Sequence, residues 1–310
     1  KFFIPSILVL FVVLYVKNNK IDYDNARKVH SKFLKNSPFK KTKNLPKDQR
    51  KEMELPPNAY AERMWELSMN PYTGRIEPEK LFRLQKELRQ KNSPQNRIAG
   101  VPGEPNNDET KWVHRGPYNV GGRTKAIMRD PKDATNETVF AGGISGGIFK
   151  NTSISNPNSP WVLVDENMPQ NLAVSSITYD PNDTKTFYVG TGESYTSSGP
   201  GNGLWKSTDG GATWSKILGG FGASPEILFI NDVVVRNNSG TSEVYVAAGF
   251  RSLDGKWLGL SDYGLYRSTN GKDFTQVSPV VPGQSRVYQP MDIEISPSNN
   301  KVWFSTTGRG

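Results

Sequence analysis

From about residue 111 onward, apolar positions alternate with polar ones in short runs rich in Val, Ile, Phe, Tyr and Trp. Side chains of a strand point alternately to the two faces of a sheet, so such runs predict half-buried strands. Upstream the period changes. Leu81, Phe82, Leu84 and Leu88 approximate one stripe of a helix over 78–91, with Pro78 in the first turn, where a missing N–H is tolerated. Residues 59–70 also read as helical, and a short helix is predicted near 23–35. Phe2 to Val16 is a mostly apolar run of 15 residues.

The strand-forming part repeats. Gly147-Ile-Phe-Lys-Asn-Thr152, Gly203-Leu-Trp-Lys-Ser-Thr208 and Gly264-Leu-Tyr-Arg-Ser-Thr269 are one phrase, 56 and 61 residues apart. Each follows a second run (Val139–Gly143, Phe187–Thr191, Val244–Ala248), which has a fourth copy at Val302–Thr306. Upstream of each lies a third run: Ala126–Pro131, Ser176–Pro181, Asp232–Val235 and Asp292–Pro297. A last run closes each unit at Trp161–Val164, Trp214–Leu218 and Phe274–Val277. Four short strands repeated in phase are the sequence form of β-propeller blades. No helical stretch separates them, which excludes a parallel α/β sheet. A β-sandwich is the competing architecture, disfavoured by the in-phase repetition. The expected fold is all-β: an incomplete propeller of about 3.5 four-stranded blades, preceded by an N-terminal hydrophobic helix and a small helical segment.

Composition narrows the chemistry. The chain of 310 residues has no Cys and two His, His30 and His114. A disulfide scaffold, a thiolate metal site, a Cys nucleophile and a multi-His metal centre are excluded, and neither a metal nor a cofactor is expected. Residues 17–51 hold 12 Lys/Arg against 3 Asp/Glu, a surplus equal to the whole net charge of +9. The basicity is local, and aromatics are not interleaved as a base-stacking surface requires, so specific nucleic-acid binding is not expected.

The domains read as follows. Residues 1–16 have the length of a signal-peptide core and are short for a helix crossing ~30 Å of hydrocarbon. They read as an export signal or an N-terminal membrane anchor using residues 2–16, which places the protein outside the cell or at its surface. Residues 17–57 read as an extended, poorly packed basic linker, and 58–110 as a helical segment and loop. Residues 111–310 form the propeller, truncated at its C-terminus. The fourth unit stops after its second strand, so an open arc, a longer natural chain and poor solubility of this piece are expected.

The turns between third and fourth strands carry a motif. Ser207-Thr-Asp-Gly-Gly-Ala-Thr-Trp214 fits S-x-D-x-G-x-x-W, and Ser268, Asn270 and Phe274 form a shortened copy. In such a turn Ser207 and Asp209 bond nearby amides, Gly211 takes a positive φ, and the aromatic packs the blade. The first unit is degenerate, with Asn151 and Trp161. The motif resembles the Asp-box, or bacterial neuraminidase repeat. With Trp112-x3-Gly116-Pro-x-Asn119-x-Gly121-Gly-Arg123 and Gly190-Thr-Gly-Glu193, the chain resembles secreted bacterial proteins with sortilin-like N-terminal propellers, many exported by type IX secretion.

These motifs imply architecture, and site residues are expected in the long loops of the opposite face. Arg123, Glu193, Tyr195, Arg251, Asp254, Trp257 and Arg309 are the candidate ligand contacts, because rings stack on sugar faces while charged groups bond hydroxyls. Glu193 and Asp262 are the weak catalytic candidates. The leading expectation is a binding module for a glycan or protein partner. The alternatives are a glycoside hydrolase using loop carboxylates and a structural repeat of an adhesin-like chain. A xyloglucanase-like hydrolase shows an Asp just before the Gly-Gly-aliphatic-aromatic strand, where this chain has Ile144 followed by Ser145. One of the two carboxylates of glycoside hydrolysis is thus missing at that place. The Phe/Tyr-Arg-Ile-Pro signature of sialidases is absent too.

Overall fold

The computed structural model describes residues 23–37, 39–40, 44–46, 48–49, 58–80, 83–84, 87, 122–144, 146–164, 173–195, 199–253 and 256–307. The chain divides into two compact units, Lys1–Glu77 with Asp254–Lys256, and Pro78–Leu253 with Trp257–Gly310. The boundary expected near 110 and the apolar run 2–16 lie outside the described residues, as does most of the 78–91 helix. Among the described residues, no helix is long and apolar enough to cross a membrane.

The first unit holds helices α1 (Tyr23–Lys35) and α2 (Asn58–Ser68). Asp24 in the first turn of α1 and Lys32 and Lys35 in the last complement its dipole. Trp65 and Met69, the residue just after α2 whose amide donates to the Trp65 carbonyl at 2.9 Å, are buried with Phe39, and Phe33 packs beside them. Trp65 Nε1 donates to the Gly74 carbonyl at 2.9 Å. Within the stretch read as a basic linker, Phe33 and Phe39 are thus packed. Two aromatics among the basic residues find an apolar partner across the unit, and their burial outweighs the surrounding polarity.

The second unit is an all-β propeller arc of successive antiparallel sheets. Blade one is β1 (Thr124–Arg129), β2 (Val139–Gly143), β3 (Gly147–Asn151) and β4 (Val162–Leu163). Blade two is β5 (Val174–Asp180), β6 (Asp183–Thr191), β7 (Leu204–Ser207) and β8 (Ser215–Leu218). Blade three is β9 (Phe229–Asn238), β10 (Thr241–Gly249), β13 (Gly264–Ser268) and β14 (Thr275–Gln276), with the hairpin β11 (Arg251–Leu253) and β12 (Lys256–Leu258) inserted after β10. A two-stranded sheet, β15 (Pro290–Ile295) and β16 (Val302–Thr306), follows. Strands pair in chain order within each blade.

Because each sheet is apolar on both faces, the cores form between blades. Phe140 of β2 joins Phe187, Val189, Trp205 and Trp214 of blade two. Tyr188 on the other face of β6 joins Ile230, Val233, Val244 and Val246 of blade three. Tyr245 joins Ile293, with Val302 and Phe304 packed alongside.

The turns close as short polar chemistry requires. Asp209 Oδ1 accepts from the Ala212 and Thr213 amides at 3.0 and 2.9 Å, and Gly211 has φ +83°. Ser207 Oγ accepts from the Gly211 amide at 2.9 Å, and buried Trp214 donates Nε1 to the Gly211 carbonyl. Asn270 Oδ1 accepts from Lys272 and Asp273 amides in the shortened copy, and Phe274 packs against the core. The first blade, whose copy of the motif is degenerate, closes its turn differently. Asn151 holds its turn through the Ser153 amide and Ser159, while Trp161 is exposed rather than folded back. Its longer turn carries the ring away from the sheet.

Candidate functional site

The first strands of the four sheets surround a cavity of about 440 Å³. Because the repeats are in phase, each strand delivers a polar side chain at a similar height. Lys125 comes from β1, Ser176 from β5, Asn231 and Asp232 from β9, and Asp292 from β15; Tyr195 reaches in from the loop after β6.

That loop is built rigidly. Gly192 has φ +84°, and a Cβ there would lie 2.2 Å from the Leu228 carbonyl oxygen, so only glycine fits. The Gly192 amide donates to the Ala173 carbonyl at 2.8 Å, and the Gly201 amide to the Leu228 carbonyl at 2.7 Å. Asn231 Oδ1 accepts from Ser194 Oγ at 2.8 Å while its Nδ2 donates to the Pro290 carbonyl. The result aims Glu193 inward.

Glu193 is 1% exposed. Its Oε2 accepts from Arg123 at 2.8 Å, and its Oε1 lies 3.3 Å from Lys125 Nζ. A buried carboxylate needs such pairing. Burial pulls the Arg251 guanidinium down, opposed by the Glu193 charge. Lys125 Nζ also lies 4.2 Å from the centroid of the Tyr195 ring, which is 46% exposed. The sequence candidates Arg123, Glu193, Tyr195 and Arg251 therefore belong to one constellation, joined by Lys125.

The other candidates are placed differently. Trp257 lies edge-on to Phe250, with ring centroids 5.5 Å apart. Asp262 accepts from the Glu226 amide at 3.3 Å and from Ser261 Oγ, which makes it a loop anchor. Asp254 and Arg309 lie outside the described residues.

Sequence reading missed Lys125, Ser176, Asn231, Asp232 and Asp292 at the cavity. Asp232 looked like the polar edge of an apolar run. Its Oδ1 accepts from Ser176 Oγ at 2.7 Å and its Oδ2 from the Ile293 amide at 2.9 Å, linking three blades. Burial raises its pKa, these hydrogen bonds oppose the rise, and the Asp292 charge adds to it. The cavity thus sets a buried carboxyl that holds its proton more readily beside a second, exposed carboxylate, with an ammonium and an open ring nearby. Among the described residues, no three His, Cys, Asp or Glu side chains group to hold a metal.

No family model matches the chain. Over 103 residues it is 32% identical to the xyloglucanase Xgh74A of Acetivibrio thermocellus, covering 30% of this chain and 11% of that protein. Over 202 residues it is 30% identical to a xyloglucanase of Paenibacillus sp, covering 58% of this chain and 18% of that protein. The chain thus spans between 11% and 18% of the length of these curated relatives. Among solved structures, it is similar to an ancestral GH74 enzyme with a TM-score of 0.44 and 20% identity, covering 59% of this chain and 22% of that one. The Niastella koreensis GH74 enzyme gives a TM-score of 0.41 at 21% identity, covering 59% and 25%.

Proposed function

We propose that this propeller is the glycan-holding part of an exported, glycoside-hydrolase-type protein that acts on a β-linked polysaccharide of the xyloglucan class. The observation that carries the reading is the ring of Tyr195 standing open beside a rigid polar cavity, with Lys125 fixed between that ring and Glu193. An aromatic face for the pyranose ring and fixed charged groups for its hydroxyls are what sugar recognition uses. The similarity to two xyloglucanases supports the substrate class. We read the Ser207 and Ser268 turns as Asp-boxes that stiffen the blades away from the sugar.

In this reading Arg123 and Lys125 hold Glu193 in place, and Glu193 organises the site without needing to touch the reacting bond. Titration of the intact protein with xyloglucan oligosaccharides tests it. Saturable binding lost on Tyr195→Ala, with the melting temperature unchanged, is expected; binding unaffected by Tyr195→Ala overturns it.

Hydrolysis at the cavity itself is the second reading, favoured by Asp232 and Asp292 lining the same cavity from neighbouring sheets. Two carboxyl groups facing one cavity are the pairing glycoside hydrolysis employs. Ile144, where such hydrolases show an Asp, weighs against it. Turnover of xyloglucan abolished by Asp292→Asn with binding retained would establish the second reading; binding without turnover would reject it.

A further inference from the structure

The first strand of each sheet carries a β-bulge at the same place. Thr124 and Ala126 of β1 pair with consecutive residues of β2, and Val174 and Ser176 of β5 with consecutive residues of β6. Ile230 and Asp232 of β9 do the same on β10, and Pro290 and Asp292 of β15 on β16. The extra residue is Lys125 in blade one, Ser175 in blade two, Asn231 in blade three and Met291 in the fourth sheet, and all four line the cavity. A bulge leaves its extra residue out of the ladder and re-aims its side chain.

Two of these residues do the same thing. Ser175 Oγ donates to the carbonyl of Ile230, the residue just before the bulge of blade three. Asn231 Nδ2 donates at 2.9 Å to the carbonyl of Pro290, the residue just before the bulge of the fourth sheet. Both side chains are buried. In each case the bulge ties its own sheet to the next one. The matching acceptor for blade one is the carbonyl of Val174, just before the bulge of blade two. Lys125 instead places its ammonium 3.3 Å from Glu193 Oε1 and 4.2 Å from the centroid of the Tyr195 ring. Met291 has no donor to offer, and among the described residues no sheet follows its own.

We propose that the bulge of blade one serves the ligand where the next two serve the fold: Lys125 donates to an oxygen of the bound glycan in place of the tie that Ser175 and Asn231 make. This rests on the sugar reading of the cavity. An ammonium has three donors and no acceptor, so with one proton toward Glu193 it can offer another to a hydroxyl or ring oxygen lying beside Tyr195. The choice weakens the contact between blades one and two. A short polar side chain at position 125 would reach the Val174 carbonyl as Ser175 reaches that of Ile230, adding a buried hydrogen bond that the native chain lacks a side chain to make. Residues kept for binding at the expense of stability are a recurrent feature of functional sites.

The test compares Lys125→Ser, Lys125→Asn and Lys125→Ala with the native chain, each as the intact protein, by urea unfolding and by titration with xyloglucan oligosaccharides. All three variants should bind about fivefold more weakly, having lost the ammonium. The Ser and Asn variants, which copy the residues of blades two and three, should unfold at a higher urea midpoint than the Ala variant. The shift should match the one that separates the native chain from Ser175→Ala, because the same tie is gained in one pair and lost in the other. Ser and Asn midpoints no higher than that of Ala overturn the proposal, since position 125 then makes no tie. Native affinity in all three variants overturns it as well and leaves the sugar reading standing. A native chain that binds no oligosaccharide overturns the sugar reading itself, and this proposal with it.

Discussion

Val174, at the start of β5, fills the space that a side chain at Gly142 of β2 would need: a Cβ there would lie 2.3 Å from Val174 Cγ1. Gly190 makes the same notch for the next blade, where a Cβ would lie 2.5 Å from Ile230 Cγ2. Neighbouring blades therefore lock by a β-branched residue seated on a glycine. Gly142→Ala and Gly190→Ala should each cost about 1–3 kcal/mol by overpacking, measured as a lower denaturant midpoint. Unchanged midpoints would mean that the blades slide apart without penalty.

Asp209 accepts hydrogen bonds from Ser207, Ala212 and Thr213 of its own turn, and it is not among the described residues that line the cavity. Burial pushes its carboxyl up, but bonds from Thr213, Ser207 and Ala212 outweigh this and hold the pKa at about 2. Asp209→Ala should destabilise the propeller by about 1–2 kcal/mol, as loss of a capping side chain does, with oligosaccharide affinity unchanged. Thermal melting with parallel titration calorimetry checks both halves.

Glu243 predicts the acid limit of the fold. It is buried on β10 and accepts from Arg267, Arg236, Asn238 and Tyr245. Burial raises its carboxyl, yet these donors win and lower it from an ordinary 4.5 to about 2. A pKa depressed on folding gives stability that is complete above pH 4.5 and is lost as pH falls through about 2. Asp232, whose pKa is raised, contributes with the opposite sign and favours the fold as pH falls. Glu243→Gln should cost about 3 kcal/mol at neutral pH, because it strands two arginines, and should flatten the loss of stability between pH 4.5 and 2. Urea titrations across that range give the answer; a variant with the native slope would assign acid sensitivity elsewhere.

Lys125 joins Glu193 to the Tyr195 ring. Lys125→Met keeps the aliphatic stem and removes the ammonium, while Arg123 still pairs Glu193. Oligosaccharide affinity should fall about fivefold with a stability change below about 1 kcal/mol. A large loss of stability with affinity intact would make Lys125 a strut of the blade and no part of the sugar site.

Local chemistry is why so much of the architecture could be read from the chain. Alternation in Val244–Ala248 dictates which side chains face which neighbour, and Ser207, Asp209 and Gly211 close a turn with atoms no more than a few residues apart. Such features need no distant partner, so the sequence by itself determined the strands, the blade repeat and the turn geometry. The N-terminal unit was harder, because Phe33 and Phe39 gain their meaning only from Trp65, and a basic composition masks them. The position of Trp161 was not legible for a related reason, since the length of its turn decides whether the ring reaches the sheet. The cavity was decided only by tertiary structure. Glu193 meets Arg123 across 70 residues. Asp232 meets Ser176 and Ile293 across blades, at distances along the chain where no periodicity carries information. Packing the blades side by side sets which polar residues face the cavity together, and that choice depends on blade rotation, which no single strand encodes.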